Sequence, residues 1–182
     1  MNSSEGNFVH DVFETKFGWV SVIASESGVK RMSLPEPTST LALAAVFTSL
    51  IDVESRLDDL EQVKHQIRDY LSGRSVDLRD IALDLEGTPP FFRRAWNACR
   101  SIPYGETRSY SWVAASAGSP LAVRAAGQAM ARNPVPLAIP CHRVVGSDGD
   151  LYGFAGTAGV TLKSLLINLE SRNRRGLIDQ FR

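Results

Sequence analysis

Apolar and polar residues alternate with a period of two over residues 8–34. Phe8, His10 and Val12 stand against Val9, Asp11 and Phe13, and the runs Trp19 to Ile23 and Val29 to Leu34 follow. Phe17-Gly18 and Glu26-Ser27-Gly28 interrupt the pattern with turn residues, so a small antiparallel meander is predicted. Pro35 to Thr40 reads as a breaker-rich connection. Beyond it, Leu57, Leu60, Val63, Ile67 and Leu71 recur at helical spacing until Ser72-Gly73 stops them. A short strand is expected around Leu83–Leu85. Thr88-Pro89-Pro90 reads as an N-cap followed by prolines, opening a helix through Phe91, Phe92, Ala95, Trp96 and Cys99 that is over by Pro103-Tyr104-Gly105.

From Tyr110 to Arg132 the chain is rich in Ala, Ser and Gly, with a break at Gly118-Ser119-Pro120. That outline predicts helix, tight turn, helix. After Asn133-Pro134, Val135 to Ile139 reads as an apolar extended run leading into Pro140-Cys141-His142-Arg143. Five glycines between Gly146 and Gly159 mark a loop whose backbone can approach a ligand closely. Leu162, Leu165, Leu166 and Leu169 give a last amphipathic helix, followed by a basic tail from Arg172 to Arg175. The expected fold class is α+β: residues 1–87 as an antiparallel sheet with a helix, and residues 88–182 as a mainly helical domain with a helix-turn-helix.

Composition adds little to this, since 182 residues with 43% apolar and 22% charged residues are ordinary for a globular protein. The charge distribution says more. The net charge is zero, yet residues 1–90 carry 15 acidic and 8 basic side chains whereas residues 91–182 carry 5 and 12. A basic half on a neutral chain points to a polyanion-binding surface or to attraction between the halves. Two cysteines argue against a disulfide framework, and no apolar run is long enough to span a bilayer, so a cytoplasmic protein is expected.

Cys141 beside His142 is the sharpest chemical feature, because a thiol becomes a nucleophile only as the thiolate and an imidazole is a common means to that end. Adjacent residues of an extended chain point to opposite sides, however. Direct contact would require a turn at Cys141 or a bridging water. Pro140 holds the thiol on a rigid segment, and the Asn133 amide can bridge two backbone segments. In the helix from Leu121 to Ala131, Ala122, Ala125, Ala126, Gly127 and Ala129 are small and Arg124 is the only cation, a surface suited to a nucleic-acid groove or to close helix packing.

Taken together, Pro103-Tyr104-Gly105-Glu106-Thr107, Ser109-Tyr110, Arg124-Ala125, Asn133-Pro134 and Pro140-Cys141-His142-Arg143-Val144 resemble the O6-alkylguanine-DNA alkyltransferase family from about Gly87 to Glu170. The resemblance implies a single-use repair protein for O6-alkylguanine, and for O4-alkylthymine, that binds double-stranded DNA in the minor groove as a monomer. Extrusion of the base is the physical requirement, since a stacked base cannot meet a buried thiol. By the same resemblance Cys141 accepts the alkyl group, His142 takes the thiol proton through a water, Glu170 orients His142 and Asn133 ties the recognition helix to the active-site segment. Arg124 fills the gap left by the flipped base, and Tyr110 pushes its phosphate and serves as proton donor to the leaving guanine. Ser111, Ser119, Ala122, Ala125 and Gly127 would meet DNA; Met130, Gly153, Phe154 and Ala155 would line the pocket. No cofactor and no metal are implied, the first half having no cysteine.

The stretch Gly153-Phe154-Ala155-Gly156-Thr157-Ala158-Gly159 departs from the family's pattern by an aromatic without its hydroxyl and a two-residue insertion, Thr157-Ala158. Two other readings compete. A lesion-recognition protein of the alkyltransferase-like kind would lack Cys141, and a papain-type hydrolase brings its histidine from far along the chain.

Overall fold

The computed structural model describes residues 8–47, 53–54, 60–152, 154, 156 and 159–179. The meander is present as β1 (Phe8–Thr15), β2 (Gly18–Ser25) and β3 (Gly28–Met32), antiparallel, with Val9 opposite Ala24 and Thr15 opposite Gly18. A parallel two-residue strand on the far side of β1 completes the order β3-β2-β1-β4, after α1 (Ser39–Val46) and as β4 (Val53–Glu54). Central β2 is buried from Val20 to Ala24, with Ser21 buried among the apolar residues. α1 packs on it.

Helix α1 was not expected. Its residues, STLALAAV, are apolar almost throughout and show no helical stripe. The signal lay at its start, where the Thr38 hydroxyl caps the helix by accepting the Leu41 N–H at 3.3 Å. α2 (Glu61–Ser72) matches the predicted helix; Leu57, the first residue of that pattern, lies outside the described residues. It stops at Gly73, whose φ of 95° lets its N–H reach the Tyr70 carbonyl at 3.0 Å.

No strand forms at Leu83–Leu85. Leu83 makes only a single bridge to Val29, through Val29 N–H to Ala82 O and Asp84 N–H to Val29 O. Gly28 permits this approach, since a Cβ there would stand 2.5 Å from the Ala82 carbonyl oxygen. In α3 (Pro90–Arg100) the N-cap is Pro89, and the expected Thr88 cap is absent. The prolines suffice, since their fixed φ suits the first turn and they have no N–H to satisfy.

β5 (Arg108–Ser109) leads into α4 (Tyr110–Ser116), and α5 (Val123–Ala131) follows after a turn, giving the expected helix-turn-helix. α3 braces the pair: Trp96 Nε1 donates to Ala129 O at 2.8 Å and Arg94 Nε to Ala117 O at 2.9 Å. Val135 to Ile139 is a turn rather than an extended run. The Ile139 N–H returns to the Val135 carbonyl at 2.9 Å and Leu137 takes a φ of 72°, so the sequence's apolar residues are buried by folding back on themselves. One turn of 3-10 helix (Cys141–Arg143), β6 (Val144–Val145) parallel to β5, and α6 (Gly159–Asp179) complete the fold.

One apolar cluster runs from Val20 and Val22 through Ile67, Leu71 and Ile102 to Ala126, Val144 and Leu166. The two segments are also joined by Met32 N–H to Pro134 O at 2.9 Å. Among the described residues no helix is long and apolar enough to cross a membrane. Gly153, Ala155, Thr157 and Ala158, and the side chains of Arg174 and Arg175, lie outside the described residues.

Candidate active site

Cys141 sits at the start of the 3-10 turn, 7% exposed. The turn after Pro140 changes the direction of the chain, which an extended Cys-His pair could not do. Asn133, just past α5, organises the thiol: its Nδ2 donates to Ile139 O at 2.8 Å and to Cys141 Sγ at 3.1 Å, while its Oδ1 accepts the Val135 N–H at 3.0 Å. The end of α5 is thereby fastened to the cysteine segment. Burial pushes the Cys141 thiol above its ordinary pKa, against the opposing hydrogen bond from Asn133. At neutral pH the group is a thiol, and its use as a nucleophile requires a proton acceptor.

The neighbouring imidazole belongs to a buried charged cluster. His142 is 0% exposed and Glu170, from α6, 1%. His142 Nε2 lies 2.8 Å from Glu170 Oε1, and the Tyr70 hydroxyl, from α2, donates to the same oxygen at 2.6 Å. Arg143 donates Nε to Oε2 at 3.0 Å and Nη2 to Oε1 at 2.9 Å, and its Nη1 reaches Ile102 O at 2.8 Å. The Gly105 N–H donates to Oε2 at 2.9 Å. Burial alone would raise the Glu170 carboxyl, but its interactions with His142 and Arg143 outweigh it and hold the pKa at about 2. Burial lowers the pKa of His142 despite Glu170, so the ring is neutral near pH 7 and gives Glu170 a hydrogen bond, with the lasting positive charge coming from Arg143. The network assigns the proton to Nε2. Nδ1 is then the basic nitrogen, and it is buried without a hydrogen-bond partner among the described residues.

A cleft of about 740 Å³ opens beside the thiol, lined by Cys141, Tyr110, Arg124, Gly127, Met130 and Phe154, with Met32 and Leu34 from the sheet segment opposite. That volume suits a small organic group such as a nucleobase with its substituent. Burial raises the pKa of the Tyr110 phenol, keeping it protonated at neutral pH. Lys163, 1% exposed, has its Nζ 3.4 Å from the Tyr110 hydroxyl and 3.0 Å from the Tyr152 carbonyl. Around the cleft mouth, Arg124 is exposed on α5 and makes no ion pair among the described residues. Ser111 is exposed on α4, Ser119 and Ala122 lie in the turn, and Ala125 and Gly127 are half-buried on α5.

A family model described as "6-O-methylguanine DNA methyltransferase, DNA binding domain" matches residues 90–172. The chain is 36% identical to the methylated-DNA–protein-cysteine methyltransferase of Methanosarcina barkeri, over 91% of this chain and 99% of that one. It is 44% identical to the constitutive enzyme of that name from Bacillus subtilis, over 62% of this chain and 66% of the relative. The solved structure of Mycobacterium tuberculosis OGT in complex with DNA superposes with a TM-score of 0.77 at 31% identity, covering 91% of this chain and 94% of that one. The chain belongs to the methylated-DNA–protein-cysteine methyltransferase family.

The α+β fold is that of this methyltransferase family. Of the residues singled out from sequence, Cys141, Asn133, Tyr110, Met130 and Phe154 converge on one cleft, and His142 and Glu170 are in direct contact behind it. Gly153 and Ala155 lie outside the described residues. Sequence reasoning missed three members of this methyltransferase's site. Arg143 reads as a solvated cation until its burial is known. Lys163 sits on a leucine-rich helix at the position facing inward, a visible anomaly in the apolar stripe. Tyr70 lies in a segment with no motif and is delivered by tertiary packing alone.

Proposed function

We propose that this protein repairs alkylated DNA by transferring the alkyl group from O6 of guanine, or O4 of thymine, to Cys141 Sγ. The bond from carbon to the base oxygen breaks as the bond to sulfur forms. The thiol proton passes through a water to His142 Nδ1, whose ring is held by Glu170, and Tyr110 donates the proton that the departing base requires. The observation that carries the reading is the Asn133-held thiol lining a nucleobase-sized cleft, with a neutral, oriented imidazole next to it in sequence. Displacement at carbon leaves a thioether that nothing in the cluster reverses, so each molecule acts once.

The helix-turn-helix side supplies the DNA surface, and the segment 1–87 closes the cleft from behind. α5, with its small residues and Arg124, enters the minor groove of a duplex, and Arg124 replaces the extruded base in the stack. The protein acts as a monomer in the reducing cytoplasm, where a free Cys141 persists. Incubation with an oligonucleotide carrying O6-methylguanine, followed by intact-protein and peptide mass spectrometry, tests this. One methyl on Cys141 per molecule is expected; no adduct, or repair well beyond one equivalent, overturns it.

A further inference from the structure

We infer that Tyr70, brought from the sheet segment by α2, is a positioning residue that sets the proton affinity of His142 through the shared oxygen Glu170 Oε1. The inference rests on the proposed repair reaction and names a component of its proton path. Tyr70 is 1% exposed, its hydroxyl donates to Glu170 Oε1 at 2.6 Å, and the same hydroxyl lies 3.2 Å from His142 Nε2. Packing does not by itself require a hydroxyl there. A phenylalanine would fill the same apolar space without placing a polar atom in a buried cluster, so the hydroxyl has to be accounted for by what it touches.

It touches an oversubscribed oxygen. Oε1 receives the Tyr70 hydroxyl, His142 Nε2 and two Arg143 nitrogens, Nε at 3.2 Å and Nη2 at 2.9 Å, although a carboxylate oxygen has only about two lone pairs. The donors therefore compete. The phenol's pKa is pushed well up by burial and by Glu170, so the hydroxyl stays a donor throughout the neutral range. Each share of Oε1 charge taken by Tyr70 is unavailable to stabilise an imidazolium, which keeps His142 neutral and able to accept a proton. The charged and titratable groups facing His142 are Glu170, Arg143, Lys163 and Tyr70; those facing Tyr70 are Glu170, His142, Arg143 and Tyr104.

The placement is held from both ends. Gly73, which stops α2, gives its carbonyl to Asn173 Nδ2 at 2.6 Å, and the same Nδ2 donates to the Tyr104 hydroxyl at 3.0 Å. The Tyr104 ring meets Tyr70 edge-on at 6.1 Å. α2 is thus clamped to the helix that carries Glu170, and the sheet segment contributes a group to the reaction centre.

The test compares wild type, Tyr70→Phe, and full-length protein with 3-fluorotyrosine at position 70, a more acidic phenol and hence a stronger donor. Two readouts are taken: the ¹⁵N ring resonances of His142 against pH, simplified by the presence of only 3 histidines, and the pH–rate profile for alkylation of Cys141 by free O6-benzylguanine. In Tyr70→Phe the His142 titration and the acid limb of the rate move up by about 0.5 unit or more, so that well below the midpoint of that limb the rate falls about threefold or more. With 3-fluorotyrosine both move down. The thermal midpoint of the fluorinated protein stays at the wild-type value, which keeps the test decisive if Tyr70→Phe unfolds. Superimposable titrations and profiles in all three proteins overturn the inference. A wild type that leaves the methyl group on O6-methylguanine DNA overturns the repair reading instead, and the ring titration still decides whether Tyr70 acts on His142.

Discussion

The buried cluster around Glu170 and the exposed face of the helix-turn-helix are built on opposite rules. In the cluster, Tyr70, His142, Arg143 and Glu170 are all nearly inaccessible and are hydrogen-bonded to one another, with only His142 Nδ1 left without a partner among the described residues of that cluster. On the face, Arg124 is exposed without an ion pair among the described residues, and Leu121, in the turn before α5, is 98% exposed. The first arrangement is already assembled in the free protein and serves to fix geometry and proton state. The second is incomplete without an external surface. The division of labour follows: chemistry is preorganised where water is excluded, and recognition is left open where a partner must arrive.

Cys141 belongs to neither region, and its removal has the largest effect. Cys141→Ala abolishes alkyl transfer while leaving DNA binding intact, whereas Cys99→Ala changes neither, because Cys99 is fully buried in α3 and burial raises its thiol pKa well above normal. Mass spectrometry of the two variants after reaction, beside a binding titration, checks this. Methyl transfer by Cys141→Ala would contradict the whole assignment.

The cluster comes next. Glu170→Gln leaves Arg143 buried without its carboxylate, a change that costs about 3–5 kcal/mol in comparable sites, and it removes the group that orients His142. Both the melting temperature and the transfer rate fall. The pH dependence has a definite sign. The folded-state pKa of Glu170 is depressed to about 2 from 4.5, so its stabilisation is fully present above about pH 4.5 and is lost as pH falls toward 2. The stability gap between wild type and Glu170→Gln, followed by urea unfolding, accordingly narrows across that window. A gap that widens on acidification would show that Glu170 is not the charged member of the cluster.

Arg124→Ala probes the face and has an intermediate effect. Unstacking a base costs a few kcal/mol, so loss of the residue that replaces it should slow repair of duplex DNA by about 10- to 100-fold. Reaction with free O6-benzylguanine has no base to extrude and stays within about twofold of wild type. Equal losses on both substrates would move Arg124 from the recognition side of the comparison to the chemical side.

The same contrast explains what could be read in the sequence. The meander was legible because β1 to β3 alternate and are bounded by glycine turns, and the helix-turn-helix because alanine-rich segments flank Gly118-Ser119-Pro120. Local signals determine both. α1 is not legible because it has no polar face, and Val135 to Ile139 looks extended in sequence because apolar side chains there are buried by tertiary contacts, with Leu137 in the left-handed region. In the site, Cys141, His142 and Asn133 sit within ten residues and could be read from the motif. Tyr70 hydrogen-bonds a residue 100 positions away, and no pattern along the chain reports such a contact.

The smallest effect is expected at Leu121, and it sharpens the comparison most directly. At 98% exposure its side chain contributes almost nothing to packing, so replacing it should change stability by no more than about 0.5 kcal/mol. Its place at the turn before α5, beside Arg124, puts it within the surface proposed to meet DNA. A carboxylate introduced there repels the DNA backbone, and Leu121→Glu lowers affinity for duplex several-fold at low salt, with the deficit shrinking as salt screens the charge. Leu121→Lys acts oppositely and steepens the salt dependence of binding by about one counterion. Reaction of either variant with free O6-benzylguanine is unchanged, since Leu121 is not among the residues lining the cleft. Binding titrations at several salt concentrations, run beside thermal melts, separate the possibilities. If both variants bind DNA as wild type does, the turn before α5 lies off the interface and the recognition surface must be redrawn around Arg124 and α4. If either variant melts early, Leu121 is a structural residue despite its exposure, and the distinction between a self-sufficient cluster and an open face fails at this position.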